Sequence, residues 1–188
     1  SPVDFVELPS QIMENWASHP EVLKMYAKHY QTGEPIPDEL IQKIINSQYF
    51  NKGFETVEYL AASILDMNWH MLNDVSNIDV INFEETSLNK IGLIPEVASR
   101  YQSTNFNHIF GGDGYSAGYY GYMWSGVLDS DAFGAFLENG LFDKTTAESF
   151  RRNILEKSGS DDPMNLYVKF RGREPKPDAL IQRLGFNN

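Results

Sequence analysis

The sequence predicts an all-α protein, and three observations support this. Apolar residues recur at helical spacing through most of the chain, and almost no segment alternates as a strand does. Gly, Pro and Asp signals separate the helical segments. Apolar residues make up 41% and charged residues 22% of the 188 residues, as in ordinary globular chains, and the aromatic content of 13% is generous. No linker poor in apolar residues interrupts the chain, so we predict a single all-α unit over residues 1–188.

A first helix is indicated over residues 4–16, where apolar side chains cover most of the helical surface. On this helix Asp4, Glu7, Gln11 and Glu14 would form one polar stripe, at i, i+3, i+7 and i+10. The stripe is either the solvent-facing side or a polar strip directed into a site. Buried carboxylates persist only when they are paired or bind a metal. Pro removes a backbone donor within this segment and leaves open a kink near Glu7.

Four further helices are predicted between residues 21 and 92. In 21–32 apolar residues recur near helical spacing, and Gly33 follows as a candidate C-cap. Beyond a Pro-containing turn, a helix begins at Asp38. The segment 54–73 is the longest candidate and has one broad apolar face. A shorter helix is predicted over residues 83–91, with a glycine after it.

The second half of the chain begins with a long irregular stretch and a glycine-tyrosine segment at 111–128. Further along, Asp162 and Pro163 fit the N-cap and the first position of a new helix. The remaining predicted helices cover residues 131–138, 143–157, 163–171 and 177–184.

Within the glycine-tyrosine segment, a flexible loop over 111–114 precedes a part that reads as a helix. Tyr115, Tyr119 and Tyr122 lie at i, i+4 and i+7, so three phenols would share one helical face. They are either an aromatic core stripe with hydroxyls at its edge or a row of hydrogen-bond donors facing a cleft. A phosphate loop is disfavoured, since no Lys follows and the spacing is not GxGxxG.

Composition and motifs exclude several classes of function. The 15 basic and 26 acidic residues give a net charge of −11, which excludes a basic nucleic-acid clamp. The chain has no cysteine, so thiol catalysis and Cys-ligated zinc are excluded. None of its 4 histidines belongs to a His-Glu-x-x-His motif. No apolar run approaches the roughly 20 residues that span a bilayer, so we expect a soluble chain with no membrane partner.

Several segments resemble a known family in order and separation. Residues 4–16 and the segment from His108 to Trp124 resemble the C-terminal part of the thimet oligopeptidase family of zinc metallopeptidases. Residues 19–53 look most like its bacterial peptidyl-dipeptidase branch, also called dipeptidyl carboxypeptidase, and residues 171–175 fit as well. The resemblance implies that the chain is the C-terminal helical part of a zincin-type catalytic domain.

The resemblance also implies roles for individual residues. Glu7 matches the third zinc ligand, and Glu14 matches an acid that would orient a ligand histidine. Tyr122 matches the tyrosine that stabilises the tetrahedral intermediate, and His108 matches a catalytic histidine on the same loop. The resemblance assigns substrate contacts to Tyr115, Tyr119 and His108.

The implied activity is the hydrolysis of short peptides with release of C-terminal dipeptides, by a water that zinc activates. The two histidine ligands and the general-base glutamate of the family would lie upstream of Ser1. We therefore expect a fragment that is inactive alone, binds zinc weakly or not at all, has the upstream part of its own catalytic domain as its partner, and self-associates. The expected compartment is the cytoplasm, with the periplasm as the alternative.

The sequence is also compatible with two other functions. The same motifs would suit an oligopeptidase that cleaves internal bonds. A non-catalytic helical interaction module could also keep the peptidase fold. For dipeptide release, Arg100 in the long irregular stretch is a candidate for the residue that binds the substrate carboxylate.

Overall fold

The computed structural model of the chain describes residues 2–186. Within these residues the regular elements are helices, with no strand. A single isolated antiparallel bridge in this part of the chain pairs Lys28 with Pro35. The prediction of an all-α fold is confirmed. Residues 1, 187 and 188, which the predicted unit includes, lie outside the described residues.

The α-helices range from 4 to 19 residues in length. The α-helices are α1 (Leu8–Ala17), α2 (Pro20–Tyr26), α3 (Asp38–Ser47), α4 (Lys52–His70), α5 (Val80–Lys90), α6 (Asn107–Phe110), α7 (Gly121–Asn139), α8 (Lys144–Phe150), α9 (Pro163–Arg171) and α10 (Asp178–Arg183). A 3₁₀ turn covers Ser103–Asn105, and a π-helical turn over Arg151–Leu155 continues α8. None of the helices in residues 2–186 combines the length and the apolar character of a membrane-spanning segment.

The chain divides into two compact units. The first contains the described residues up to Phe50 together with those from Met123 onward, and the second runs from Asn51 to Tyr122. The boundary therefore falls within the first turn of α7. The organisation of residues 1–188 as a single unit stays a prediction.

The first unit has an apolar core between α1, α7, α8 and α9. Leu8 and Ile12 of α1 have no exposed surface, and the indole of Trp16 packs edge-on against Phe133 and Phe136 with both centroid distances 4.7 Å. Burial of side chains of this size stabilises the fold by about 1.5–3 kcal/mol each. The core consists of Phe5, Leu8, Ile12, Leu128, Ala132, Phe133, Phe136, Phe150, Ile154, Leu166 and Tyr167.

The first helix begins later than its apolar pattern predicts. Residues 3–7 form turns, with the Phe5 amide donating to the Pro2 carbonyl over 3.0 Å, and α1 starts at Leu8. Pro9 falls in the first turn, where its missing N–H leaves no helical hydrogen bond unmade. The predicted stripe is therefore wrong at its start, because Asp4 lies in a turn and Glu7 is the N-cap.

The predicted helix over 21–32 is also too long. The helix ends at Tyr26, and a tight turn follows in which the Ile36 amide donates to the Ala27 carbonyl over 2.8 Å. The ring Nδ1 of His29 accepts two backbone N–H groups inside this turn, which competes with a helix. Gly33, at φ +72°, closes the turn and does not cap the helix.

Most of the other predicted boundaries hold to within a few residues. Helix α9 matches its prediction of 163–171, and Asp162 caps it by accepting the N–H groups of Met164 and Asn165 over 2.9 and 3.2 Å. Gly92, at φ +71°, follows α5 as expected. Helix α7 is continuous where two segments were predicted, since Asp129, Ser130 and Asp131 are helical.

Two buried carboxylates on α7 bind the C-terminal part of the first unit. Asp131 accepts hydrogen bonds from the Tyr167 hydroxyl at 2.7 Å and from Arg173 Nη2 at 2.6 Å. Asp129 has no exposed surface and accepts from Asn15 Nδ2 at 3.0 Å and from Arg183, whose Nη2 lies 3.2 Å away. Helices α1, α7 and α10 therefore share one buried charged centre.

We expect Arg183→Ala to lower the free energy of unfolding by about 3–5 kcal/mol, because the fully buried Asp129 loses its cation. Asp129→Ala should cost less, since the Arg183 side chain is 39% exposed and recovers water. Urea unfolding of the chain measures both effects. As a control, Arg152→Ala removes an exposed ion pair and should change little. Equal, small losses in all three variants would contradict this account.

The second unit contains two small apolar clusters, and each of them includes residues of α4. Ala61, Leu65 and Leu88 are buried with Trp69 and Phe83 packed against them. The other cluster is built on α4, α6 and the segment before α7. Its members are Ala62, Phe106, Ile109 and Tyr119, with Tyr59, Tyr101 and Tyr122 packed against them.

Candidate functional site

The three predicted site tyrosines do not share a helical face. Tyr115 lies at a bend, residues 116–120 form turns, and α7 begins only at Gly121. Ala117 has φ +53°, a left-handed conformation that cannot continue a right-handed helix. The expectation that Tyr115, Tyr119 and Tyr122 lie at i, i+4 and i+7 of one helix is therefore wrong.

The turn nevertheless brings the three phenols together around His108, and we call these four residues the tyrosine-histidine cluster. The rings of Tyr115 and Tyr122 stack at 5.4 Å and 3°. Tyr119 meets Tyr122 edge-on at 5.5 Å. His108 lies edge-on to all three, at 5.4, 5.6 and 6.0 Å. The three tyrosines are therefore grouped as predicted, but the backbone that carries Tyr115 and Tyr119 is not helical.

One hydrogen bond in the cluster joins two predicted catalytic residues. The Nε2 of His108 lies 3.1 Å from the hydroxyl of Tyr122. His108 is exposed and Tyr122 is half-buried, so the pair is accessible to solvent. When Nε2 carries the proton, it donates to the phenol oxygen and leaves the phenol proton for another acceptor. The pair can thus present an oriented O–H donor.

A buried carboxylate that sequence reasoning missed holds the backbone of this turn. Asp66 on α4 has no exposed surface, and its Oδ1 and Oδ2 accept the backbone N–H groups of Ala117 and Tyr119 over 3.0 and 2.9 Å. His70 Nδ1 lies 2.8 Å from the same carboxylate. His70 is the last residue of α4. No sequence signal separated Asp66 from the other acids.

Two further contacts brace the turn. The Tyr59 hydroxyl donates to the Tyr119 carbonyl, and the two rings stack at 5.1 Å. The Ser116 hydroxyl donates to the carbonyls of Ile109 and Gly112 over 3.1 and 3.2 Å. These contacts connect the glycine-rich loop over 111–114 with the turn over 116–120, which we call the tyrosine turn, and connect that turn with α4.

Tyr119 is the most buried member of the cluster and keeps its proton. It is 3% exposed, and burial raises the pKa of its phenol to about 12. The positive charge of Arg100 opposes this rise, while Tyr101 adds to it. Arg100 Nη1 lies 3.0 Å from Glu58 Oε2, and its guanidinium carbon is 5.9 Å from the centre of the Tyr101 ring. A cation therefore lies beside the cluster.

The predicted zinc ligand lies in the first unit. Glu7 is the N-cap of α1, it is half-buried, and its Oε2 accepts a hydrogen bond from the Ser10 hydroxyl at 2.8 Å. Glu14 lies two turns further along α1 and is exposed. Its predicted role in orienting a ligand histidine stays a prediction.

The next feature is the set of side chains in residues 2–186 that could bind zinc. Residues 2–186 contain no group of three His, Cys, Asp or Glu side chains that could hold a metal ion. A carboxylate oxygen is a normal zinc ligand, and the hydrogen bond from Ser10 fixes the orientation of the Glu7 carboxylate. Glu7 thus fits as one ligand of a zinc site whose other ligands this part of the chain does not supply.

Comparison with known proteins gives relatives along the whole chain. It is 45% identical over 189 residues to the dipeptidyl carboxypeptidase of Escherichia coli, covering 100% of this chain and 28% of that protein. It is 38% identical over 185 residues to oligopeptidase A of Salmonella typhimurium, covering 98% of this chain and 27% of that protein. Saccharolysin of Saccharomyces cerevisiae is 33% identical over 190 residues, covering 100% of this chain and 26% of that protein.

The chain therefore spans little more than a quarter of the length of these curated relatives. The sequence model of Peptidase family M3 matches residues 1–186. This match includes Glu7 and the whole tyrosine-histidine cluster. The chain belongs to peptidase family M3.

Proposed function

We propose that this chain is part of a longer zinc peptidase that hydrolyses short peptides and releases C-terminal dipeptides. The observation that carries the proposal is the tyrosine-histidine cluster, in which a solvent-accessible His108 is hydrogen-bonded to Tyr122. Family membership supports peptide hydrolysis as the reaction. The 45% identity to a dipeptidyl carboxypeptidase supports dipeptide release. We refer below to the longer peptidase as the full-length enzyme.

In this proposal the cluster binds the peptide and stabilises the oxyanion. The Tyr122 phenol donates its proton into a hydrogen bond with the carbonyl oxygen that becomes negative in the transition state. His108 orients that phenol through the 3.1 Å hydrogen bond. Tyr115 stacks on Tyr122 and fixes its ring, so that the donor needs little reorganisation during the reaction.

Glu7 would supply one zinc ligand, with its carboxylate oriented by Ser10. When bound, zinc would lower the pKa of a water and thereby supply the nucleophile. We propose that the two further protein ligands and the general base come from residues outside this chain. Glu14 would orient one of those ligands.

The test of this function is the cleavage pattern of the full-length enzyme. Peptides of matched sequence, one with a free and one with an amidated C-terminus, are digested and the products identified by mass spectrometry. Release of C-terminal dipeptides from the free peptide alone supports the proposal. An enzyme that hydrolyses neither peptide, with zinc bound, would overturn it and favour a non-catalytic module.

Internal cleavage is the second candidate, because oligopeptidase A is 38% identical over 98% of this chain. An oligopeptidase that cleaves internal bonds does not need to recognise the free carboxylate. It would hydrolyse the amidated peptide as fast as the free one. The same digestion therefore distinguishes the two enzymes.

If the enzyme releases dipeptides, we expect Arg100→Gln to raise the KM of free-acid peptides by about 10–100-fold, the worth of one hydrogen bond to a charged group. Arg100 is the cation beside the cluster, and its side chain is 42% exposed. The KM of amidated peptides should not change. Steady-state kinetics on both peptide series measure the effect.

The matched control is Glu58→Gln, which removes the anion that pairs with Arg100 and keeps the cation. We expect it to leave the KM of free-acid peptides unchanged or lower. An equal rise in KM for free and amidated peptides with Arg100→Gln would show that Arg100 does not bind the carboxylate.

We also propose that the isolated chain self-associates through surface that the upstream part of the domain covers. Large apolar side chains are exposed in each unit, for example Tyr30 at 87% and Ile81 at 69%. Light scattering of the 188-residue chain should give a mass that rises with concentration. A constant monomer mass at high concentration would contradict this expectation.

A further inference from the structure

Asp66 is a fully buried acid that the proposed chemistry does not use. It lies in the last two turns of α4, with no exposed surface. The residues that it contacts across the chain are 51 and 53 positions away, in the turn that carries the tyrosines. A buried carboxylate is costly unless hydrogen-bond donors compensate it, so the burial of Asp66 depends on the donors around it.

The carboxylate meets three donors, and each oxygen is used. Oδ1 accepts the N–H of Ala117 at 3.0 Å and faces Nδ1 of His70 at 2.8 Å. Oδ2 accepts the N–H of Tyr119 at 2.9 Å. His70 Nδ1 also lies 2.9 Å from the Asp66 carbonyl. Because both of its neighbours are acceptors, this nitrogen carries the proton.

The turn that Asp66 holds is strained. Ala117 adopts φ +53°, which is unfavourable for a residue with a Cβ and occurs here without glycine. The two N–H groups that the carboxylate accepts belong to Ala117 itself and to Tyr119, two residues later. The hydrogen bonds to Asp66 therefore stabilise the positive φ of Ala117 against a change to a more favourable backbone conformation.

We propose that Asp66 is a positioning residue, which holds the tyrosine turn in the conformation that directs Tyr122 toward His108. It acts through the backbone of residues 117–119 and does not touch substrate. The functional part of this inference rests on the function proposed above. The structural part, that the cluster loses its geometry without the carboxylate, is independent of it.

Asp66→Asn isolates this role because the amide has nearly the same shape and one acceptor fewer. If the amide oxygen stays at Oδ1, the NH₂ group faces the Tyr119 N–H. If the amide flips, NH₂ faces Ala117 N–H and His70 Nδ1–H. In both orientations a donor meets a donor, so the turn loses at least one hydrogen bond.

In the full-length enzyme we expect Asp66→Asn to lower kcat by about 10–100-fold and to change KM by less than about threefold. Bound zinc should stay stoichiometric. The matched control is Asp131→Asn, which changes another buried acid, one that binds Tyr167 and Arg173. It should lower the unfolding temperature and leave kcat unchanged. Equal kcat losses in the two variants would reduce Asp66 to a general contribution to stability and overturn the proposal.

The ring protons of His108 supply a readout that does not need activity. They lie among the rings of three tyrosines and should show large ring-current shifts in NMR spectra. We expect Asp66→Asn to move these resonances toward random-coil values and Asp131→Asn to leave them in place. Unchanged His108 resonances in Asp66→Asn would overturn the inference, whether or not the enzyme is a peptidase.

Relief of the backbone strain should restore part of the loss. Ala117→Gly removes the Cβ that disfavours positive φ, so the turn needs less support from the carboxylate. We expect the double variant to recover kcat by about fivefold over Asp66→Asn, with Ala117→Gly alone close to the parent enzyme. A double variant no better than Asp66→Asn would show that the carboxylate does not act through this turn.

Discussion

Tyr122→Phe in the full-length enzyme is expected to lower kcat by about 10²–10³, which corresponds to roughly 2.7–4 kcal/mol of transition-state stabilisation. The phenylalanine ring keeps the stacking on Tyr115 and loses the hydroxyl that lies 3.1 Å from His108 Nε2. Since the donor acts mainly in the transition state, KM should change less than kcat. Steady-state kinetics with a chromogenic peptide measure both, and zinc content should be unchanged.

The other tyrosines of the segment serve as comparisons. Tyr115→Phe and Tyr119→Phe should lower kcat less than Tyr122→Phe if these residues position substrate. Tyr120 lies in the same turn and is not a member of the cluster; it is 40% exposed, so Tyr120→Phe should be tolerated. Equal losses in all four variants, or a loss confined to Tyr120, would mean that the aromatic residues pack the turn and that Tyr122 is not the oxyanion donor.

Glu7→Ala should abolish activity by loss of metal, because removal of one of three protein ligands opens a zinc site to water and exchange. The expected result is a fall in bound zinc that parallels the fall in rate, measured by elemental analysis after dialysis. Excess zinc in the assay should restore little activity. Stoichiometric zinc with normal turnover in Glu7→Ala would show that Glu7 is not a ligand.

Ser10→Ala is a milder change at the same site as Glu7→Ala. It removes the hydroxyl that donates to Glu7 Oε2 over 2.8 Å and leaves the carboxylate in place. Groups that orient a metal ligand typically contribute 10–100-fold in metal affinity, so zinc binding should weaken by about that factor. Glu14→Gln should have a similar effect if Glu14 orients a ligand histidine. Unchanged zinc affinity in Glu14→Gln would leave Glu14 as an ordinary acid on α1.

Helix boundaries were predictable where local chemistry sets them. Asp162 and Pro163 cap and begin α9, and Gly172 ends it at φ +79°, so this helix needs no distant partner to define it. The segment 27–36 shows the opposite case. Its apolar spacing continues that of α2, but backbone hydrogen bonds of a tight turn end the helix at Tyr26. Periodicity cannot detect this competition.

The sequence was sufficient to predict which residues form the tyrosine-histidine cluster. It was not sufficient to predict the backbone conformation that brings them together. The spacing of Tyr115, Tyr119 and Tyr122 indicates a common face only on a helix, yet the backbone before Gly121 is a turn. The cluster exists because aromatic packing around Tyr119 and hydrogen bonds from α4 fold that turn over His108. A correct grouping was therefore obtained from a wrong conformation.

The sequence by itself determined the all-α class, the family, and which residue types are available for chemistry. These follow from periodicity, capping residues and motifs, all of which are local in the chain. Only the tertiary structure showed that Asp66 and Asp129, among 26 acidic residues, are buried at the centres of two networks. The partners of these two acids on other elements lie 51–114 positions away, and those of Asp66 include backbone N–H groups, which every residue except proline carries. A contact of this kind leaves no pattern in the sequence, because the fold creates the acceptor's environment and the donor has no side-chain identity.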